Sequence, residues 1–307
     1  VITSPITFAA TANSIVHVGG VPVFADVDRS TMNLDPDAVE QAVTPRTKAI
    51  IPVHIAGRPC RMDDIREIAD RHGLKVIEDA AHAVEARYHG RNIGTLSSAT
   101  CFSFYVTKNM TTGEGGMLTT NDDEWAERTR ILSLHGLSRD AWKRYSSAPV
   151  QHYQVLYPGY KYNMMDLQAA LGLHQLARIE ANLRRREEVW RRYDLAFGDL
   201  PVQTPPPPEP ESRHARHLYT LLVDPEASGL SRDEFRERLH TLGIGTGIHF
   251  TSLAEHPYYR EQYPARLPLP NASYIGDRTV SIPLSAKLSD KDVDRIIQAV
   301  RSALGRT

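Results

Sequence analysis

The chain of 307 residues is 41% hydrophobic and 24% charged, ordinary for a folded protein and long enough for one large domain plus a smaller one. Its formal net charge of −1 supplies no global field to recruit nucleic acid or an anionic membrane, and no apolar run is long enough to span a bilayer. Two cysteines, Cys60 and Cys101, make no disulfide framework, so a reducing, cytoplasmic setting is expected.

The opening Val1-Ile2-Thr3-Ser4-Pro5 lacks a basic region and reads as a chain that begins inside a domain, not as a signal peptide. A short apolar strand is predicted over 21–27. A weak helix follows over 35–43, with Asp35 as N-cap and Pro36 at its first position, then a strongly apolar strand over 48–54. Residues 63–72 read as a helix with Ile65, Ile68 and Ala69 on one face and Gly73 as its stop. The next strand covers 74–78, with Asp79 at its carboxyl end. Strands separated by helices imply parallel βαβ units, and in such sheets ligands gather at the carboxyl ends of the strands.

Further along, a strand is predicted over 99–105, a glycine-rich turn over 111–116, a strand over 117–120 and a helix over 123–134. The polar stretch 138–157 has no clear period and reads as a surface loop. One long helix is expected over 166–192, where Leu167, Leu171, His174, Ile179 and Leu183 recur at helical spacing. Arg184, Arg185 and Arg186 on it read as a solvated charge run. The proline-rich segment 204–210 is an extended connector inside the smaller domain. A strand over 217–223, a helix over 232–242 and a last helix over 290–304 complete the chain, which shows no internal repeat. The organisation is a large α/β domain with a mainly parallel sheet, residues 1–190, and a small C-terminal α+β domain, residues 191–307.

Two strand ends carry the chemistry. Val76-Ile77-Glu78 runs into Asp79, and Phe102-Ser103-Phe104 leads to Lys108. A pyridoxal phosphate (PLP) enzyme needs this pair: a lysine for the Schiff base, and a carboxylate that keeps the pyridinium nitrogen charged so that the ring acts as an electron sink. A lone lysine is otherwise a solvated surface group, and Asp79 otherwise a turn former. Arginine could not replace Lys108, because it stays protonated. Glu78 alternates to the other face of the strand and is left out of the site. The thirteen histidines are scattered without zinc spacing, so no metal is expected.

Eight stretches in order are similar to the DegT/DnrJ/EryC1/StrS family of PLP-dependent sugar aminotransferases, from residue 1 to the last helix. They include Pro5-Ile6-Thr7-Phe8-Ala9-Ala10-Thr11-Ala12-Asn13, Glu78-Asp79-Ala80-Ala81-His82-Ala83, Phe102-Ser103-Phe104 with Lys108-Asn109, and Gly113-Glu114-Gly115-Gly116. Gly159-Tyr160-Lys161-Tyr162-Asn163, Gly243-Ile244-Gly245-Thr246 with His249-Phe250, and Ser281-Ile282-Pro283-Leu284 are others. Within the family, Thr44-Pro45-Arg46-Thr47 and Tyr258-Tyr259-Arg260-Glu261 resemble the aminotransferases that make UDP-4-amino-4-deoxy-L-arabinose, used in lipid A modification.

The resemblance implies fold type I, like aspartate aminotransferase, and a homodimer with shared active sites. It implies amino transfer from glutamate, with 2-oxoglutarate as its product, to the 4-keto carbon of a nucleotide-linked sugar, UDP being favoured. It places the Schiff-base lysine at Lys108 and the pyridinium partner at Asp79. His82 would contact the cofactor's phenolic oxygen, Ser103 its phosphate, and Phe8 the pyridine face. Lys161 stands where many relatives have Asn, a residue that reaches the phosphate of the other subunit's cofactor, and Asn163 is the alternative for that contact. His249 would lie near the substrate entry. The family's Ser-Gly-Thr phosphate turn is not found in these residues. That leaves a second reading, a catalytically impaired, dimerising or nucleotide-sugar-binding relative. A third, a PLP-dependent sugar dehydratase, is disfavoured because those relatives replace the lysine with histidine.

Overall fold

The computed structural model describes residues 1–138 and 153–306; most of the predicted 138–157 loop lies outside them. In chain order the first half contains β1 (Ile2–Thr3), α1 (Ala9–His17), β2 (Val23–Phe24), α2 (Pro36–Ala42), β3 (Ala49–Ile51), α3 (Met62–His72) and β4 (Lys75–Asp79). The hairpin β5 (Arg87–Tyr88) and β6 (Arg91–Asn92) follows, then β7 (Ala99–Ser103), β8 (Gly116–Thr119) and α4 (Asp123–Ser133). Six of these strands form one sheet in the order β2-β1-β3-β4-β7-β8. All neighbours are parallel except β8, which returns antiparallel along β7.

Local chemistry explains the crossovers. Asp35 caps α2 by accepting from the Asp37 N–H, and Pro36 occupies the first turn, where no N–H is needed. α3 buries Ile65, Ile68 and Ala69 and stops at Gly73, whose φ of 63° suits glycine. Val39, Ile65 and Ile68 pack with Ile2, Ile50 and Val76 of the sheet in one core.

The second half contains α5 (Asp166–Leu176), α6 (Ile179–Phe197), β9 (Val202–Gln203), β10 (Tyr219–Val223), α7 (Pro225–Ser228), α8 (Arg232–Thr241), α9 (Pro257–Gln262), α10 (Pro270–Arg278), β11 (Thr279–Ile282) and α11 (Asp290–Ala303). β9, β10 and β11 make an antiparallel sheet in the order β11-β10-β9. It packs against Trp190, Tyr193 and Phe197 of α6, Phe235 of α8 and Val293 of α11. The amino end of α6 instead meets the first half, where Ile179 packs with Phe104 and Met110. Among the described residues no helix is long and apolar enough to cross a membrane.

Two expectations need correction, and the proline-rich connector gains a contact. The single helix over 166–192 is two helices broken at Ala177 and Arg178. The apolar spacing continues across the break, but the faces differ: α5 buries only Gly172, while α6 carries Leu183, Val189, Trp190 and Phe197 into the interior. Of the three consecutive arginines, Arg186 is not solvated; it is 4% exposed and paired with buried Glu85. The proline-rich connector runs back over the first half, where the carbonyls of Pro206 and Pro207 accept from the buried Arg58 guanidinium. Prolines have no N–H to donate and keep their carbonyls, which makes the segment an acceptor strip.

Candidate active site

Asp79 is the last residue of β4. The alternation of the strand splits the two acids there. Glu78 points into the core, where it accepts from His54 Nε2 at 2.8 Å, the Ser97 hydroxyl at 2.6 Å and the Thr100 hydroxyl at 2.8 Å. Burial opposes ionisation of Glu78, but these bonds, His54's first, outweigh it and set the carboxyl below its usual value. His54 Nδ1 accepts from the Cys60 N–H at 3.0 Å, so Nε2 carries the proton given to Glu78.

Asp79 faces the other way. Its Oδ2 accepts from the Thr11 hydroxyl at 2.6 Å and its Oδ1 from the Ala81 N–H at 3.1 Å. Thr11 has one hydroxyl proton, and Asp79 takes it. The 2.8 Å contact between Thr7 and Thr11 is therefore donated by Thr7. Both threonines are buried. Thr11 of α1 and Thr7 just before that helix thus present a two-hydroxyl relay to the carboxylate.

Lys108 follows β7 through a turn in which its N–H donates to the Tyr105 carbonyl at 2.9 Å. The glycine-rich segment closes that turn. Phe104 N–H donates to the Gly115 carbonyl at 2.8 Å, and a Cβ on Gly116 would come within 2.8 Å of the Phe102 carbonyl. Burial lowers the Lys108 ammonium below its ordinary value, against the pull of the Asp79 carboxylate.

Three imidazoles sit within the field of Lys108. His82 and His217 pack ring on ring with centroids 4.4 Å apart, and Phe250 lies parallel to His82 at 6.3 Å. His82 and His217 are held well below the usual histidine value, and His249 is lowered. Burial is the chief cause for each, followed by the neighbouring positive groups, including Lys108. The His82 Nδ1 is buried without a hydrogen-bond partner. His249 Nδ1 is held at 2.8 Å from the Ser281 hydroxyl.

Phe8 precedes α1 and, contrary to a plain core role, is 64% exposed, its ring 6.3 Å from that of Phe250. Ser103 ends β7, and its Oγ accepts from the Tyr105 N–H at 3.3 Å. Lys161 and Asn163 stand apart. They hydrogen-bond each other beside the stacked rings of Tyr160 and Tyr162, and neither is bonded to the Asp79–Lys108 cluster. The fold therefore brings Asp79, Lys108, His82 and His249 within one another's electrostatic reach, while Lys161 and Asn163 are bonded to each other and not to that group.

Sequence reasoning missed Thr11, Asn109 and His217. Thr11 had a readable signal, a hydroxyl one helical turn after Thr7. Asn109 had only adjacency to Lys108. His217 had none, because its position depends on how the segment before β10 crosses the first half.

Comparison with known proteins identifies the family of the chain. Residues 1–301 match the model of the DegT/DnrJ/EryC1/StrS aminotransferase family. The chain is 53% identical over 303 residues to the spore coat polysaccharide biosynthesis protein SpsC of Bacillus subtilis (strain 168), covering 98% of this chain and 78% of that protein. The PLP form of Spr1654 from Streptococcus pneumoniae superposes with a TM-score of 0.89 at 31% identity, covering 99% of this chain and 80% of that one. DesI, solved in the presence of its TDP-sugar product, gives a TM-score of 0.87 at 34% identity, with 99% of this chain and 74% of that chain covered. The chain belongs to the DegT/DnrJ/EryC1/StrS aminotransferase family, PLP-dependent sugar aminotransferases of fold type I.

Proposed function

We propose that this chain transfers an amino group from glutamate to the 4-keto carbon of a nucleotide-linked sugar, with UDP as the nucleotide, in cytoplasmic amino-sugar biosynthesis for the cell envelope. The observation that carries the reading is the meeting of half-buried Asp79 and Lys108 with buried His82. PLP requires a carboxylate for its ring nitrogen, an amine for its aldehyde carbon, a polar partner for its phenolic oxygen and a flat neighbour for its ring. Asp79, Lys108, the unpartnered Nδ1 of His82 and the exposed ring of Phe8 are those groups. When bound, the cofactor supplies an electron-withdrawing ring that stabilises charge on the carbon being deprotonated.

In this reading the residues divide the work. Asp79, oriented by Thr11 and Ala81, keeps the ring nitrogen charged. Lys108 holds the cofactor through Nζ; once displaced by substrate, the amine carries a proton between substrate carbon and cofactor. Its lowered basicity favours the neutral form that both tasks need. Ser103 serves the phosphate, and His249, anchored on Ser281, lies on the substrate side. Lys161 or Asn163 reaches the cofactor phosphate of a second copy.

The surface supports such a homodimer. Leu167, Leu171 and Leu176 of α5 are 72%, 50% and 52% exposed, a run of apolar side chains that a water-facing helix does not carry. DesI's TDP-sugar product and SpsC's part in polysaccharide biosynthesis favour the nucleotide-sugar class. UDP rests on the sequence likeness alone. Borohydride reduction of the holoenzyme followed by peptide mass spectrometry is the test. A cofactor adduct on Lys108, together with transfer of labelled nitrogen from glutamate to sugar, is expected. Absence of the adduct defeats the reading, and an adduct with deoxygenated rather than aminated sugar favours the dehydratase alternative.

A further inference from the structure

The geometry points to Asn109 and His217 as positioning residues of the Lys108 site: Asn109 fixes the backbone beside Lys108 and locks His217 as the tautomer protonated on Nδ1. The inference rests on Lys108 being the cofactor lysine. Asn109 is its immediate neighbour, and its side chain is a hub. Nδ2 donates to Glu85 Oε2 at 2.8 Å and to the Ala215 carbonyl at 2.9 Å, while Oδ1 stands 2.9 Å from His217 Nδ1.

The hydrogen assignments follow without choice. Glu85 and a backbone carbonyl are acceptors, so the amide end of Asn109 must face them. Oδ1 is then turned to His217 and can only accept, so His217 Nδ1 carries a proton; in the neutral ring Nε2 then keeps the lone pair. Glu85 is in turn paired with buried Arg186, which prevents the amide from flipping. Arg186 also donates to the Ala215 carbonyl, at 3.3 Å. The chain Arg186–Glu85–Asn109–His217 thus runs from α6 to the segment that leads into β10.

His217 passes this order to the site through its ring. It packs on His82, whose Nδ1 is the buried unpartnered atom. The charged and titratable groups around His217 are Lys108, His82, His249, His214, Arg186 and Glu85. All but Glu85 disfavour a second positive charge, and Glu85 is already engaged by Arg186 and Asn109. A neutral imidazole with a fixed tautomer packs beside Lys108 without adding charge to it. A protonated one would add a positive charge in the field of the Lys108 ammonium and turn a second donor, Nε2–H, into the site.

Nitrogen NMR of the holoenzyme with labelled histidine tests the assignment. The expected result is a His217 that stays neutral and protonated on Nδ1 between about pH 6 and 8, where an unperturbed histidine titrates. The Nε2–H tautomer, or titration in that window, overturns the inference without any variant needing to fold. Asn109→Asp replaces the amide with a carboxylate facing Nδ1–H, and should bring a His217 titration into the window; an unchanged spectrum counts against the proposal. Asn109→Ser should lower kcat about 10- to 100-fold with KM little changed, as expected for a misplaced reacting group; unchanged kcat refutes the positioning role. A Lys108 adduct in the wild type, formed while these results fail, rejects this inference and leaves the proposed function intact. No adduct rejects both.

Discussion

Thr11→Val isolates one bond of the site. The substitution keeps a β-branched side chain on α1 and removes only the hydroxyl that donates to Asp79 Oδ2 at 2.6 Å. Oδ1 keeps its bond from the Ala81 N–H, so the carboxylate stays in place. A hydrogen bond to a charged group is worth about 1.5–3 kcal/mol. If its whole value supports the ionised carboxylate against the ring nitrogen, cofactor affinity falls roughly 10- to 150-fold at about 1.4 kcal/mol per tenfold. Thr7→Val is the graded control. Thr7 only steers Thr11, through a neutral bond of about 1 kcal/mol, so the loss should be about fivefold. The assay is titration of apoenzyme with PLP, read by absorbance, with thermal melting of each apoenzyme as a check on folding. An affinity in Thr11→Val equal to that of the wild type, with an unchanged melt, refutes the view that this relay holds the carboxylate for the cofactor.

Other outcomes follow from the same contacts. Glu78→Ala leaves His54 Nε2, Ser97 and Thr100 without their buried acceptor, and a loss of about 3–5 kcal/mol in urea unfolding is expected. The pH dependence has a definite sign. The folded Glu78 carboxyl lies below its usual value of 4.5. Its stabilisation is present above that value and disappears as the pH falls through the lower folded value. The gap in melting temperature between wild type and Glu78→Gln should therefore narrow in acid, and a constant gap would contradict the assignment. Leu171→Glu places a charge on the exposed face of α5, and light scattering should report a monomer with weakened cofactor binding; an unaltered dimer rules that face out of the interface. Mixing Lys108→Ala with a Lys161→Ala/Asn163→Ala double variant should restore activity that neither has alone, and no restoration argues against a shared site.

The strand ends were legible because strand period and acid position are local properties. Asp79 at the end of an apolar run, and Asp35-Pro36 or Gly73 at helix ends, carry their meaning within a few residues. The exposure of Phe8, by contrast, had no local signal. The long helix was misread because apolar spacing reports that a residue wants burial, not which neighbour buries it. α6 satisfies that demand within the chain, whereas α5 leaves its leucines exposed.

Arg186 shows the same limit from the polar side. In sequence it is one of three arginines on a helix, set apart from Arg185 only by falling in register with Leu183 and Trp190. In space Arg186 meets Glu85 in the interior, while Arg185 reaches Asp290 at the surface. What the sequence by itself determined was the family, through an acid, a serine and a lysine at or just after strand ends in that family's order. What only the tertiary structure decided was the surroundings of that chemistry. The threonine relay onto Asp79, and the Asn109–His217 hub beside Lys108, join residues 68 and 108 positions apart in the chain. Long-range hydrogen bonds of this kind depend on how the crossovers pack, and no residue pattern along the chain encodes their partners.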